Sequence, residues 1–253
     1  MASSNVSEAD GTRVFVIGDI HGCPEEPEIL LERLEEKEGL TTDDLVIFLG
    51  DYIDRGPKSK DVIDLMLAFR EKFPRTRFLK GNHEDMLLDF LGFGGRLGQA
   101  FLYNGGLETM QSYGISVFSP PEEMIEAMPR EHFKFLRELE SIIAIGNNYL
   151  AVHAGLNPLR DLNAQEDADV FWIRDEFISH EHAFRRTVVF GHTPHQEVLF
   201  HLPYKVGLDT GLVFGNKLSC LELKSGDLFE ITRGARKVKK TQADLSKCKF
   251  EGV

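Results

Sequence analysis

Five short apolar runs in this chain each stop at or beside a glycine and then present an acid, an amide or an imidazole. "VFVIGDIHG" ends in Asp19 and His21, and "LVIFLGDYIDRG" ends in Asp51, Asp54 and Arg55. "FLKGNHE" gives Asn82, His83 and Glu84, "YLAVHAG" gives His153, and "VVFGHT" gives His192. Brief apolar runs bounded in this way read as buried strands rather than helices. Asp19 and Asp51 are 32 residues apart, and Asp51 and Asn82 are 31 apart. That interval matches one strand–helix–strand step. Three such steps bring their loops to one edge of a sheet, the edge at which open α/β sheets place their sites.

The intervening segments support the same reading. "PEEPEILLERLEEKEG" sets Ile29, Leu30 and Leu34 on one stripe and stops at Gly39, an amphipathic helix. Residues 59–73 form a second helix closed by Pro74, and 84–91 begin a third, between strands at 13–19, 43–51 and 76–82. The alternation predicts an α/β fold with a parallel or mixed sheet covered by helices. The glycine-rich stretch from 92 to 140 breaks the rhythm. It is expected to be a small helical cap insertion over one end of the sheet, with helices at "PPEEMIEAM" and "REHFKFLRELE". From 141 the pattern turns strand-rich. A hairpin turns near Asn147-Asn148, strands follow at 187–193, 204–211, 217–223 and 227–232, and "KSGD" makes a turn between the last two. The expected organisation is a flexible N-terminus at 1–12, a single domain at 13–232 and a basic tail at 233–253. That tail is either solvated or docked on the body as a helix or strand.

A net charge of −12 argues against sequence-independent nucleic-acid binding. No basic stripe with interleaved aromatics supports a nucleic-acid phosphodiesterase. An anionic substrate would need local positive charge from metals or a few arginines. No apolar run reaches membrane-spanning length, and "MASSNVSEADGTR" lacks the basic and apolar regions of a signal peptide. Cys23, Cys220 and Cys248 are too scattered for a zinc site or a disulfide framework, so a cytoplasmic protein with no membrane partner is expected. Cys23 reads as a small packed thiol, and Asp209 in "GLDTG" as part of a structural turn beside the site.

Carboxylates, imidazoles and an amide without thiolates suit Mn²⁺ first, or Fe or Zn²⁺. Six protein donors are too many for one open catalytic metal but fit two metals sharing a carboxylate, with Asp51 on the central strand as the bridge. Two metals about 3.5–4 Å apart can hold a hydroxide and clamp a phosphate for in-line displacement. Asp19 and His21, two positions apart on an extended segment, share one face and hold one metal from its rim.

"GDIHG", "GDYIDRG", "GNHE", "HAG" and "GHT", in this order and spacing, resemble the phosphoprotein phosphatase family of the calcineurin-like metallophosphoesterases over residues 14–232. The likeness is greatest to compact bacterial and phage members, which include serine/threonine phosphatases and symmetrical diadenosine tetraphosphate hydrolases. The resemblance implies a sandwich of two mixed β-sheets flanked by helices. It implies Asp19, His21 and Asp51 on a first metal, and Asp51, Asn82, His153 and His192 on a second. His83 would be the general acid, held by Asp54 as an imidazolium. Arg55 would grip the phosphate, with Asn82 close by and a second arginine expected; Arg174 is the choice, with Arg185 and Arg186 its rivals. The fourth motif is His-Ala-Gly where many eukaryotic members have His-Gly-Gly. The expected activity is a two-metal phosphomonoesterase acting on phosphoserine and phosphothreonine in proteins. The alternative is symmetrical hydrolysis of dinucleoside tetraphosphates, for which Phe93, Phe101, Tyr103 and Tyr113 could wall a base pocket. The partner is then a phosphorylated protein or a small phosphorylated substrate, and no regulatory partner is indicated. A non-catalytic scaffold that kept the fold would be marked by loss of a ligand, Arg55 or His83, and all are present.

Overall fold

The computed structural model describes residues 3–6, 12–116 and 118–248. In chain order the elements are β1 (Ser3–Val6), β2 (Val14–Ile17), α1 (Glu25–Glu36), β3 (Leu45–Phe48), α2 (Ser59–Lys72), β4 (Arg77–Phe78) and α3 (Asn82–Phe90). There follow α4 (Gly106–Ser112), α5 (Pro121–Ala127), α6 (Arg130–Arg137), β5 (Ile142–Ile145), β6 (Tyr149–Val152), α7 (Asp167–Trp172) and α8 (Asp175–Ile178). The chain continues through β7 (Thr187–Phe190), β8 (Leu199–His201), β9 (Lys205–Gly207), β10 (Lys217–Glu222), β11 (Asp227–Thr232) and β12 (Lys239–Gln242). They build two mixed sheets of six strands each, ordered β12–β11–β10–β2–β3–β4 and β1–β5–β6–β7–β9–β8.

The uninterrupted apolar runs follow from burial on both faces. Val14, Val16, Leu45 and Ile47 point into the core between the sheets, where they meet Ile143, Ile145, Ala151, Val189 and Val206. Their neighbours Phe15, Ile17, Val46 and Phe48 point the other way, into a core shared with Leu30, Leu34, Ile63 and Met66 of α1 and α2. The outer face of the second sheet is covered by α7, α8 and the segments around them, through Val170, Phe171 and Phe177. The α/β sandwich flanked by helices is thus as the motifs implied.

Four details differ from the sequence reading. The strand expected at 76–82 shortens to Arg77–Phe78 because α3 begins at Asn82, capped by Gly81 and by Glu84 at its third position. Asn82 and His83 therefore stand in the first turn of a helix, not on a strand end. The segment 92–140 does not simply cap an end of the sheet. Met110, Met124, Phe135 and Leu136 join the core under α1 and α2, and the Phe135 ring lies 5.0 Å from Phe78 and 5.5 Å from Tyr52. Part of the N-terminus expected to be flexible, Ser3–Val6, pairs in parallel with β5, since a sheet edge offers unpaired backbone groups to any extended segment. Residues 1–2 and 7–11 of that terminus lie outside the described residues. The basic tail docks as β12 on β11, with Lys240 2.8 Å from Glu38 and 2.9 Å from Asp227. Strand β8 and helices α7 and α8 went unread in the sequence, being short and only weakly periodic.

Candidate active site

The loops after β2, β3, β6 and β7 and the first turn of α3 converge at one edge of the sandwich. Asp51 is at the centre. Its Oδ2 lies 3.3 Å from His21 Nε2 and its Oδ1 3.4 Å from His153 Nε2, and Oδ1 accepts the His83 backbone N–H at 3.1 Å. Asn82 Oδ1 lies 3.1 Å from His153 Nε2 and 2.8 Å from His192 Nδ1. Two groups of donor atoms, each within 4.8 Å, emerge among the described residues: His21, Asp51 and His83, and Asp51, His153 and His192. Asp51 is common to both. Asp19 falls outside both groups. Its Oδ2 accepts the His192 N–H at 2.9 Å, while Oδ1 is buried without a partner.

The backbone is bent to aim these groups. Of the seven described non-glycine residues with positive φ, five are His21, Asp51, Asp54, Arg55 and His192. Such conformations persist where the surroundings enforce them. Here Glu84 does so. Its carboxylate accepts the N–H groups of Asp51 (3.0 Å), Tyr52 (2.8 Å), Ile53 (3.2 Å) and Gly81 (2.9 Å). Gly81 is needed for space, because a methyl there would stand 2.0 Å from Asp51 Oδ1. The motif "GNHE" alone does not announce this role of Glu84. Its signal was the helix-capping position, three residues after Gly81.

Two imidazoles have their tautomers fixed by carbonyls. His21 Nδ1 donates to Ile53 O at 2.9 Å and His153 Nδ1 to Leu49 O at 2.8 Å, so each turns Nε2 to the centre. His153 Nε2 thereby faces the oxygens of Asp51 and Asn82, an arrangement that needs a cation. Burial lowers the His153 pKa, but Asp51 outweighs it and lifts the ring to about 9. Burial likewise pushes the Asp51 carboxyl up, and the facing imidazoles of His153, His83 and His21 override it, holding the carboxyl well below its usual range. Burial, then Asp209, pushes Asp19 well above that range. A divalent ion resolves all of these demands. The buried, unpartnered Asp19 Oδ1 and the converging oxygen and imidazole donors, with no thiolate among them, fit hard or borderline divalent metals.

His83 Nδ1 lies 2.7 Å from Asp54 Oδ2, both side chains fully buried, and His83 Nε2 has no partner. Burial works against the imidazolium that Asp54 is expected to hold. Burial pushes the His83 ring down to about 4, against the pull of Asp51. Burial also raises Asp54 well above the carboxylate range. A charged ring at this position requires an anion at its open Nε2. Arg55 Nη1 sits 2.7 Å from His21 Nε2, and the Arg55 guanidinium carbon is 5.4 Å from the centre of the Phe214 ring. Arg174 is exposed, and its charge reaches both His83 and His192. Cys23 is buried with its thiol on His21 O at 3.2 Å, and Asp209 Oδ1 accepts the Gly211 N–H at 2.9 Å in a turn.

The family model for calcineurin-like phosphoesterases matches residues 12–224. The chain belongs to the calcineurin-like phosphoesterase family. It is therefore a metal-dependent phosphoesterase, of a family that uses two divalent metals, and two donor groups are present to hold them. It is 29% identical over 244 residues to an asymmetrical bis(5'-nucleosyl)-tetraphosphatase PrpE of Oceanobacillus iheyensis, covering 87% of this chain and 92% of the relative. It is 30% identical over 230 residues to the protein of the same name in Bacillus anthracis, covering 81% and 88%. Its fold matches a cold-active protein-tyrosine phosphatase of a psychrophilic Shewanella, with TM-score 0.60 and 17% identity over 96% of this chain and 83% of that one. Among the described residues, no helix of this phosphoesterase is long and apolar enough to cross a membrane.

Proposed function

We propose that this phosphoesterase hydrolyses dinucleoside polyphosphates, cleaving between the first and second phosphates to leave a nucleoside monophosphate and a longer nucleoside phosphate. The observation that carries this reading is the surface around Arg55. Phe214, 64% exposed, lies against the guanidinium, and Tyr103, 92% exposed, stands two residues before Gly105, whose carbonyl accepts the Arg55 N–H at 3.1 Å. An exposed aromatic face beside a phosphate-gripping arginine suits a planar base. The other cap aromatics fit poorly. Phe101 is fully buried, Tyr113 is bonded to His132 at 2.9 Å, and Phe93 packs on Phe133 with ring centres 4.7 Å apart. The names of the relatives support the asymmetrical cut over the symmetrical one, which the sequence offered as the alternative to a protein phosphatase.

Asp19, His21, Asp51, Asn82, His153 and His192 would hold two divalent metals, Mn²⁺ before Fe or Zn²⁺. When bound, the metals polarise the phosphoryl oxygens and lower the pKa of the attacking water. Arg55 and Arg174 bind the phosphate oxygens, and Asn82 stands beside them. Water adds its oxygen to phosphorus, the bridging P–O bond breaks, and the bridging oxygen takes a proton from His83 Nε2. Asp54 holds the His83 ring so that Nε2 points at that oxygen.

Protein phosphoserine and phosphothreonine remain the second reading, favoured by the intact "GDYIDRG" and "GNHE" motifs. With Mn²⁺ added, kcat/KM for diadenosine tetraphosphate against a phosphothreonine peptide decides between them. A preference for the dinucleotide with AMP and ATP as products supports the proposal. Two ADP would restore the symmetrical cut, and a peptide preference would promote the phosphatase.

A further inference from the structure

Asp54 is held by more than His83. Its Oδ1 lies 2.6 Å from the Thr109 hydroxyl, and its backbone N–H donates to Thr109 Oγ1 at 2.9 Å and to Ser59 Oγ at 3.0 Å. The two hydroxyls are 2.9 Å apart, and Asp54, Ser59 and Thr109 are all fully buried. The donor inventory sets the direction of this chain. Thr109 has one hydroxyl proton, and Asp54 Oδ1 accepts it whichever partner holds the proton shared between Asp54 Oδ2 and His83 Nδ1. Ser59 then gives its own proton to Thr109. Both Asp54 oxygens are thus occupied, one by Thr109 and one by His83 Nδ1, and the carboxylate cannot rotate without leaving a buried donor unpaired.

We propose that Thr109 is a positioning residue for the His83–Asp54 pair, so that the 92–140 insertion is part of the acid machinery and not an appendage to it. The same segment touches the neighbouring residue. The Arg55 N–H donates to Gly105 O at 3.1 Å, at the N-terminus of the helix that carries Thr109. Asp54 and Arg55 both have positive φ, 70° and 67°, and the insertion clamps both of them. Thr109 is 55 residues from Asp54, so no local motif announces it.

The inference rests on His83 acting as the general acid. The test therefore uses two aryl phosphates with Mn²⁺ added: 4-nitrophenyl phosphate, whose leaving group departs without help, and phenyl phosphate, whose leaving group needs a proton. Thr109→Val is expected to lower kcat for phenyl phosphate about ten- to hundredfold, the scale of one buried charge-assisted hydrogen bond. It should leave KM unchanged and barely alter 4-nitrophenyl phosphate. Thr109→Ser should restore the rate. Ser59→Ala should give the same selectivity with a smaller loss, and it carries the test if the valine variant does not fold. Equal losses on both esters, no loss, or no rescue by serine would overturn the proposal. His83→Asn on the same pair separates the two ideas. If it shows no preference between the esters, the acid assignment fails first; if it does and Thr109→Val does not, only the role of Thr109 falls.

Discussion

The two sheets contribute unequally to the centre. The loops after β2 and β3 and the start of α3 supply Asp19, His21, Asp51, Asp54, Arg55, Asn82 and His83. The loops after β6 and β7 supply one imidazole each, His153 and His192. The first half also shapes itself, with Glu84 tying two of its loops together and Thr109 bracing Asp54. The second half borrows its alignment from the first: His153 is fixed by Leu49 O of the β3 segment, and the His192 N–H is fixed by Asp19. On the proposed function, the first sheet would supply the acid, the phosphate-binding Arg55 and most of the metal donors, and the second would complete the metal cage. A strand-end motif with several functional residues marks the former, and an isolated His-Ala-Gly or Gly-His-Thr marks the latter.

The sharpest test of this division is Asp51→Asn, because Asp51 alone belongs to both donor groups. Activity should fall about a thousandfold, as removing one charge from a buried paired set costs several kcal/mol. Metal analysis should find both positions depleted, and full occupancy would break the idea of a shared carboxylate. His83→Asn should lower turnover about 10²–10⁴-fold on a substrate with a poor leaving group, with metals retained and no rescue by excess Mn²⁺. His192→Asn should respond the opposite way, its loss largely recovered by excess Mn²⁺, since only a donor is missing. If both variants respond alike to Mn²⁺, the two halves are not functionally distinct. Gly81→Ala should weaken metal affinity about 10–100-fold without removing any donor, because its methyl would stand 2.0 Å from Asp51 Oδ1. Unchanged affinity would show that the first half is softer than its hydrogen bonds indicate.

The smallest effect lies behind the second sheet. His182 is buried against Phe177, donates Nε2–H to Tyr204 O at 2.8 Å and leaves Nδ1 without a partner, and burial pushes its pKa down to about 4. The unfolded chain takes up this proton near pH 6.5 and the folded protein resists it until about pH 4, so stability contributed by the neutral ring is lost as pH falls through that window. His182→Phe should flatten the urea-midpoint profile between pH 6.5 and 4 relative to the parent, with activity at neutral pH unchanged. An identical slope in both proteins would remove His182 from the acid sensitivity.

The sequence was most legible where a residue's job could be read from its neighbours. The apolar runs before Asp19, Asp51, His153 and His192 located strands because both faces are buried, and the interval between Asp19 and Asp51 located a shared edge. Legibility failed where partners are distant along the chain. Thr109 meets Asp54 only after α4 packs on α2, and Phe214 reaches Arg55 from the far end of the other motifs. It also failed where composition misleads. The glycines between 92 and 106 suggested a loose cap, yet Gly98 and Gly105 are points of close approach, a methyl on Gly105 falling 2.5 Å from the Arg55 nitrogen. Burial likewise opposes the charged form of the His83–Asp54 pair, an effect no motif encodes.

Glu84 is hydrogen-bonded to none of the donor atoms, yet four N–H groups from two loops end on it. The geometry of the loop bearing Asp51 is therefore settled while the protein folds. Little ordering is left for the moment of binding, and the reorganisation that would otherwise accompany charge development in the transition state has been completed in advance.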